Sequence, residues 1–252
     1  MPVLFLGHGS PMNALADNAY TQRLNALGRA LPKPKAVLCI SAHWETHGSL
    51  VTHMANPRTI HDFGGFPQAL FNVQYPAPGD PALADRMTKL IPGLRLDEAW
   101  GLDHGTWSVL RHVYPAPDVP VLQLSMDRAL SGAQHFQVGE KLRALRDEGV
   151  LIVGSGNIVH NLRKINWDTA AAPHAWTLEF DAWVKTQLER GDFASLCVDA
   201  WHTEAARFSV PTPEHYLPLL YVLGAADSTD QLSFIYEGFE HASLSMRCIQ
   251  LG

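Results

Sequence analysis

The sequence predicts an α/β fold: a single domain with a central, mainly parallel sheet flanked by helices. Three observations carry this expectation. Two short apolar runs, Val3 to Leu6 and Ala36 to Ile40, each stop at a segment that holds a histidine. A stretch with helical spacing lies between them. The chain has 252 residues, 46% hydrophobic and 17% charged, which is the size of one large domain with enough apolar side chains to build a core without a disulfide or metal staple.

Val3 to Leu6 is continuously apolar and ends at Gly7, the pattern of a strand buried on both faces. Tyr20 to Leu31 places Leu24, Leu27 and Leu31 on one helical face and ends before the breaker PKP at Pro32 to Pro34. Ala36 to Ile40 (AVLCI) reads as the next buried strand, stopping at Ser41 and completing a βαβ unit. Further strands are predicted at Ser49 to His53, Val119 to Leu124 and Val150 to Val153. Further helices are predicted at Pro81 to Leu90, Gln134 to Glu148, Thr177 to Glu189 and Pro213 to Val222. No Gly/Ser-rich linker or fixed-period repeat divides the chain, so residues 1–252 read as one domain. The segment Ala55 to Pro81 carries five prolines and three glycines and is long for a plain connection, which predicts a loop covering a pocket.

Composition excludes several function classes. Nineteen Lys and Arg against twenty-five Asp and Glu give a net charge of -6, with no basic block to neutralise a phosphate backbone, so nucleic acid is not an expected partner. No uncharged apolar run reaches the length of a membrane span. Cys39, Cys197 and Cys248 are odd in number and form no CxxC pair, and so read as reduced, mostly core thiols. The N-terminal MPVLFLGHGS lacks the basic flank and length of a signal peptide, and the expected location is the cytoplasm.

Thirteen histidines stand out in a chain otherwise poor in charge. His8 follows the first strand in LGHGSP, His43 the second in SAHW, and His160 the run VLIVGSG in GSGNIVHNL. Ligand crevices of open α/β sheets lie beyond the carboxyl ends of the strands, so three strands deliver an imidazole to one rim. One histidine after a strand is usually a packing or capping residue; three in equivalent places point to a metal or catalytic site. Gly7 and Gly9 permit close backbone approach around His8, while Ser41, Ala42 and Gly154 leave room for a bound group. His104 lies in GLDHGTW. Glu214 and His215 lie in PTPEHYLPLLY, at the first turn of a helix opened by Pro213. A carboxylate suits that positive end, whereas an imidazole there is best neutral, the form that binds metal.

Other chemistries fit less well. GSGN at Gly154 to Asn157 has neither the GxGxxG spacing nor the lysine of a phosphate loop. Ser10 and Ser155 stand beside histidines but lack a nucleophile elbow. Cys39, inside a strand, reads as inert. The remaining histidines, His241 among them, read as surface or packing residues. No HExxH or zinc-finger spacing is present, so a metal site has to be assembled in three dimensions.

Taken in order, GHGSP, SAHW, HDFGGFP, YPAPGDP, GLDHGTW, GSGNIVHNL and PTPEHYLPLLY resemble the class III extradiol ring-cleavage dioxygenases (LigB-like), and more narrowly the 4,5-DOPA extradiol dioxygenase group. The likeness runs from Leu6 to the C-terminal SMRC segment. It implies a single α/β domain and a non-haem metal, Fe(II) for activity, with zinc also able to occupy the site. It implies metal ligands at His8, His43 and His215, with Glu214 as rival third ligand and His160 as fourth ligand when zinc is bound. It implies that His160 is the acid/base residue, near its ordinary pKa of about 6.5, and that His104 is a second catalytic histidine. The expected partners are a catechol and O2, joined to give a muconic semialdehyde. Three imidazoles with an open position suit zinc as well as iron, so a zinc-dependent hydrolase and a non-catalytic binding protein on the same architecture remain competing readings at this stage.

Overall fold

The computed structural model describes residues 1–168, 171–198 and 201–252. Its strands are β1 (Val3–Gly7), β2 (Ala36–Thr46), β3 (Leu50–Thr52), β4 (Arg95–Asp97), β5 (Val121–Asp127), β6 (Val150–Gly156), β7 (Leu232–Tyr236), β8 (Phe239–Glu240), β9 (Leu244–Ser245) and β10 (Cys248–Leu251). Its α-helices are α1 (Ala19–Ala30), α2 (Gln68–Phe71), α3 (Pro81–Thr88), α4 (His104–Val113), α5 (Gly132–Leu142), α6 (Ala144–Asp147), α7 (Ala175–Arg190), α8 (Glu204–Ser209) and α9 (Leu217–Ala225).

Eight strands form one sheet in the order β4-β3-β5-β2-β6-β1-β10-β7, and β8 pairs with β9 beside it. The central four, β5, β2, β6 and β1, are parallel, so their carboxyl ends share one rim. Antiparallel pairs lie toward the edges, at β3 with β5 and at β1–β10–β7. Alternate residues of the central strands feed two cores, because successive side chains leave opposite faces of a strand. Val3, Phe5, Leu38, Ile40 and Ile152 pack toward α3, α5, α7 and α9. Leu4, Leu6, Val37, Cys39, Leu151 and Val153 pack toward α1, α4 and the loop at Leu70 to Ala77. Residues apolar on both faces therefore have to be central, as their unbroken runs predict.

Several expectations need correcting. β2 does not stop at Ser41: it continues to Thr46 with a register shift between Ile40 and Glu45, so His43 lies inside a bulged strand. β6 runs through Gly156, so the glycines of GSGN belong to a strand. Gly154 leaves no room for a bound group, because a Cβ there would lie 2.5 Å from the Pro218 carbonyl oxygen; the space is filled by α9. The helix expected from Pro213 starts at Leu217. Pro218, inside a helix begun at Pro213, would have no N–H for the Glu214 carbonyl; it sits instead in the first turn, and Glu214 and His215 fall in the preceding turn, where Tyr216 N–H bonds the Pro213 carbonyl. The helix expected over Gln134 to Glu148 breaks at Arg143 into α5 and α6. α4, α8, β4 and strands β7 to β10 are additional. The loop over Ala55 to Pro81 holds only the four-residue α2.

Candidate metal centre

β1 ends at Gly7, and His8 follows with its N–H donated to the Gly156 carbonyl of β6 at 3.0 Å. Gly9 has φ +58, and a Cβ there would meet Met246 Sδ at 2.4 Å, so only glycine lets the chain turn away at this point. The His8 ring is 2% exposed. Its Nδ1 lies 3.0 Å from Ser155 Oγ, and Ser155 donates its own proton to the Gly105 carbonyl at 2.5 Å. Ser155 must therefore accept from His8 Nδ1–H, which leaves His8 Nε2 as a lone pair facing inward. The same bond commits the Ser155 hydroxyl and removes it as a nucleophile.

The bulge in β2 carries His43 to the same place. Its Nε2 is 3.2 Å from His8 Nε2, and its Nδ1 faces Asp62 Oδ2 at 3.6 Å. His104 opens α4, whose N-cap Asp103 accepts from Thr106 N–H. Asp62 accepts from the His104 backbone N–H at 2.8 Å and from His104 Nδ1 at 2.9 Å, which leaves Nε2 as the ring nitrogen for the cavity, and the His43 ring centroid is 3.9 Å from that of His104.

His215 enters from the turn before α9. Its backbone carbonyl accepts from Asn157 N–H at 2.8 Å, and Asn157 donates to the Ser245 carbonyl and accepts from Gly9 N–H. Backbone and side chain of this one buried residue thus tie the segment after β1, the turn and β9 together. His215 Nδ1 bonds Glu214 Oε1 at 3.1 Å, and Thr212 Oγ1 donates to the same oxygen at 2.8 Å. The His215 ring lies 5.3 Å from that of His8 and 5.1 Å from that of His43. His160, after β6, stacks on His215 with centroids 3.4 Å apart and planes within 6°.

All five histidines singled out in the sequence thus line one cavity of about 380 Å³. Two groups have ligand atoms within 4.8 Å of one another inside each group, His8, His43 and His104 in one and His160, Glu214 and His215 in the other, and the ring contacts of His215 with His8 and His43 join the two. The donor set fits a metal ion. Two nitrogens each about 2.0–2.1 Å from one ion stand about 3–3.4 Å apart at ordinary coordination angles, and the His8 and His43 nitrogens match this. The outer nitrogens are meanwhile held by Ser155, Asp62 and Glu214, the outer partners that orient metal-binding imidazoles.

Burial, with the mutual repulsion of the rings, favours the neutral form of His8, His43, His160 and His215. Burial, then the neighbouring rings His43, His215, His104 and His160, push His8 well below the ordinary histidine value. His215 behaves likewise, through burial and then His160, His43 and His104. Burial pushes His160 down to about 4, with the Glu214 carboxylate opposing and His104 adding to the fall; this corrects the expectation of an ordinary value. Burial alone would raise Asp62, but the hydrogen bond from the His104 ring, the pull of the His104 and His43 rings on the ionised form and the His104 backbone N–H together hold its carboxyl below the usual range. Cys39 is pushed up by burial, in keeping with an inert thiol.

The walls are apolar: Phe63 and Phe66 from the long loop, Leu162 and Ile165 after His160, and Leu244. The loop does cover the pocket. Three residues of the site were not singled out from the sequence. Asp62 carried a signal, since it sits in the quoted HDFGGFP. His241, expected at the surface or in packing, lines the cavity mouth; nothing local in the sequence marks it. Asn157 was weighed only as part of a phosphate loop. His61 lies aside, its Nε2–H donated to the Val73 carbonyl at 2.9 Å and its ring against Phe63 and Trp107.

A family model described as the catalytic LigB subunit of aromatic ring-opening dioxygenase matches residues 3–247. The chain is 52% identical over 257 residues to a protein named 4,5-DOPA dioxygenase extradiol from Escherichia coli K12, covering 100% of this chain and 95% of that one. It is 37% identical to a protein of the same name from Beta vulgaris, covering 96% and 92%. Among solved structures, an uncharacterized Escherichia coli K12 protein superposes with a TM-score of 0.85 at 45% identity, over 100% of both chains.

Proposed function

The chain belongs to the LigB family of aromatic ring-opening dioxygenases and is an extradiol dioxygenase, and from that premise we propose that its substrate is a catechol of the DOPA type, cleaved at a non-haem Fe(II) held by His8, His43 and His215. The observation that carries this reading is the convergence of buried, neutral imidazoles whose outer nitrogens are tied and whose remaining nitrogens share one cavity. Glu214 stands behind His215 as its hydrogen-bond partner, which favours the imidazole over the carboxylate as third ligand. When bound, Fe(II) supplies adjacent open positions for catechol and O2 and a redox path between them, which zinc does not.

His160 is the proton carrier. Its pKa of about 4 leaves the ring unprotonated near neutral pH, and it would take the proton of a catechol hydroxyl made more acidic by a bound metal, returning it later in the cycle. His160, beside His215 in the same cavity, is also our candidate for a fourth ligand in zinc-loaded protein. His104, fixed through Nδ1 by Asp62, turns its other nitrogen to the substrate and orients it. Phe63, Phe66, Leu162, Ile165 and Leu244 flank the ring and keep water from it. The free, buried thiols of Cys39 and Cys248 support a reducing, cytoplasmic location. Among the described residues no helix is long and apolar enough to cross a membrane.

The test is metal analysis after anaerobic purification, followed by oxygen uptake with L-DOPA. Fe(II)-loaded protein should consume O2 in proportion to DOPA and develop the yellow absorbance of a semialdehyde, while zinc-loaded protein stays silent. His160→Ala should keep the metal and lose about 10²–10⁴ in turnover. No oxygen uptake by the iron form overturns the substrate and metal assignments, and normal turnover by His160→Ala overturns its role.

A further inference from the structure

The metal cavity does not end at its mouth. Ser10, Phe66, Trp167 and His241 line it and also line a second, outer groove of about 590 Å³, to which Tyr20, Tyr236 and Glu240 contribute. The waist between the two is built on an unusual turn: His241 and Ala242 follow β8 with φ of 52 and 62, a left-handed conformation that side-chain-bearing residues adopt only when their surroundings enforce it. Three hydrogen bonds do so, from Asn166 N–H to the His241 carbonyl at 3.0 Å, and from His174 N–H at 3.1 Å and Thr177 Oγ1 at 2.9 Å to the Ala242 carbonyl.

Two of the polar groups presented there are acceptors. His241 Nδ1 lies 3.2 Å from the Asn166 carbonyl, which has no proton to give, so the neutral ring carries its hydrogen on Nδ1 and offers Nε2 as a lone pair. Glu240 is fixed by Asn13 Nδ2 at 2.9 and 3.1 Å and by Ser10 N–H at 3.3 Å, which leaves a carboxylate with acceptor capacity to spare. It stands close to the metal centre: a Cβ on Gly9, next to His8, would lie 2.7 Å from Glu240 Oε2. Tyr20, 3% exposed, has a hydroxyl with no hydrogen-bond partner among the described residues. No Lys or Arg is among the described residues lining the cavity or the groove, so an anion would find no resident cation. Phe66, Trp167 and Tyr236 add aromatic side chains, whose faces attract cations.

We propose that this waist is a specificity-determining subsite for the ammonium group of an aminoalkyl side chain on the substrate ring, with Glu240 as counter-charge and His241 Nε2 as acceptor. The inference rests on the catechol reading of the metal cavity and adds to it which end group the enzyme selects, and by which residues. It is tested with two catechols of similar length on the anaerobic metal-loaded enzyme, dopamine and dihydrocaffeic acid, by calorimetry and by kcat/KM once O2 is admitted. The amine should bind about ten-fold more tightly than the acid. Glu240→Gln should bring that ratio near one, and His241→Leu should lower it by a smaller factor. Equal or tighter binding of the acid by the wild type overturns the subsite. So does a Glu240→Gln loss shared equally by both ligands, which would make Glu240 only a strut for Asn13 and Ser10. Failure of both catechols to bind would instead bring down the catechol reading, and this inference with it.

Discussion

β1 and β6 run side by side from one buried polar cluster to another, and the two ends are built differently. At the amino end, Arg146 donates from Nη1 and Nη2 to Asp230 at 2.6 and 2.8 Å, from Nε to the Met1 carbonyl at 2.8 Å, and from Nη1 to the Ala225 carbonyl at 3.0 Å. The N-terminal amine in turn donates to the Arg146 carbonyl. At the carboxyl end, His8, His104 and His215 have their outer nitrogens engaged by Ser155, Asp62 and Glu214, while the inner nitrogens of His8 and His43 face each other. Both ends hide polar atoms from water. Structural burial ends in partners within the chain, whereas the histidine cluster uses its partners for orientation and leaves a set of lone pairs for something else.

The contrast is broken most forcefully at the open end. His8→Ala should abolish stoichiometric metal binding and lower kcat/KM by more than about 10³-fold, beyond the 10–100-fold typical of outer-sphere changes. Elemental analysis and oxygen uptake check it, and a variant that kept both would remove the distinction between the two ends. At the closed end the effect should fall on stability. Arg146→Met leaves Asp230 without its cation and should cost about 3–5 kcal/mol, read as a melting point lower by about 10 °C in a chain of this size, with metal content per folded molecule kept. Loss of metal in that variant would mean that the two ends are not independent.

A finer test separates ligand from orienting partner. Glu214→Gln keeps a hydrogen-bond acceptor behind His215 but removes the charge, and should weaken metal binding by about 10–100-fold in a chelator competition. A loss as complete as that of His8→Ala would make Glu214 a ligand.

How much of this was legible depended on where the information sits. The buried strands were readable because residues apolar on both faces have few alternatives, and the five histidines were readable because they follow strands or lie in motifs that resemble a family. α4 was not, since HGTWSVLRHV carries Gly, Thr, Ser and β-branched residues of modest helix propensity and is held by the Asp103 cap and by packing. Strands β7 to β10, two to five residues long, are too short for a period to show. The turn at Glu214 and His215 was misplaced because two prolines competed to open the helix. Asp62 and His241 reach the site through long-range folding: Asp62 bonds a residue 42 positions away, and His241 sits on a left-handed turn that no glycine or asparagine announces.

The two ends also separate by pH. A buried imidazole whose folded pKa lies below its unfolded value of about 6.5 binds fewer protons folded than unfolded across the interval between the two. Unfolding then takes up protons, and stability falls as pH falls through that interval. For His160 it runs from about 6.5 down to about 4, and His8, His43 and His215 are shifted in the same direction. At the closed end the sign is that of a depressed carboxylate. Burial would raise Asp230, but the Arg146 hydrogen bond, the Asp227 N–H and the Arg146 charge together outweigh it and hold the group low, so its contribution persists down to about pH 4 and is lost only below. Metal-free protein should therefore lose stability between pH 6.5 and 5, by about 1.4 kcal/mol per pH unit for each imidazole that stays neutral. In thermal scans over that range, His160→Gln should flatten the slope by about one imidazole's share, whereas Arg146→Met should lower the whole curve and leave its slope unchanged. A wild-type curve level from pH 6.5 to 5 would mean that the imidazoles at the open end take up protons while folded, and the lone pairs assigned to the cavity would not be there.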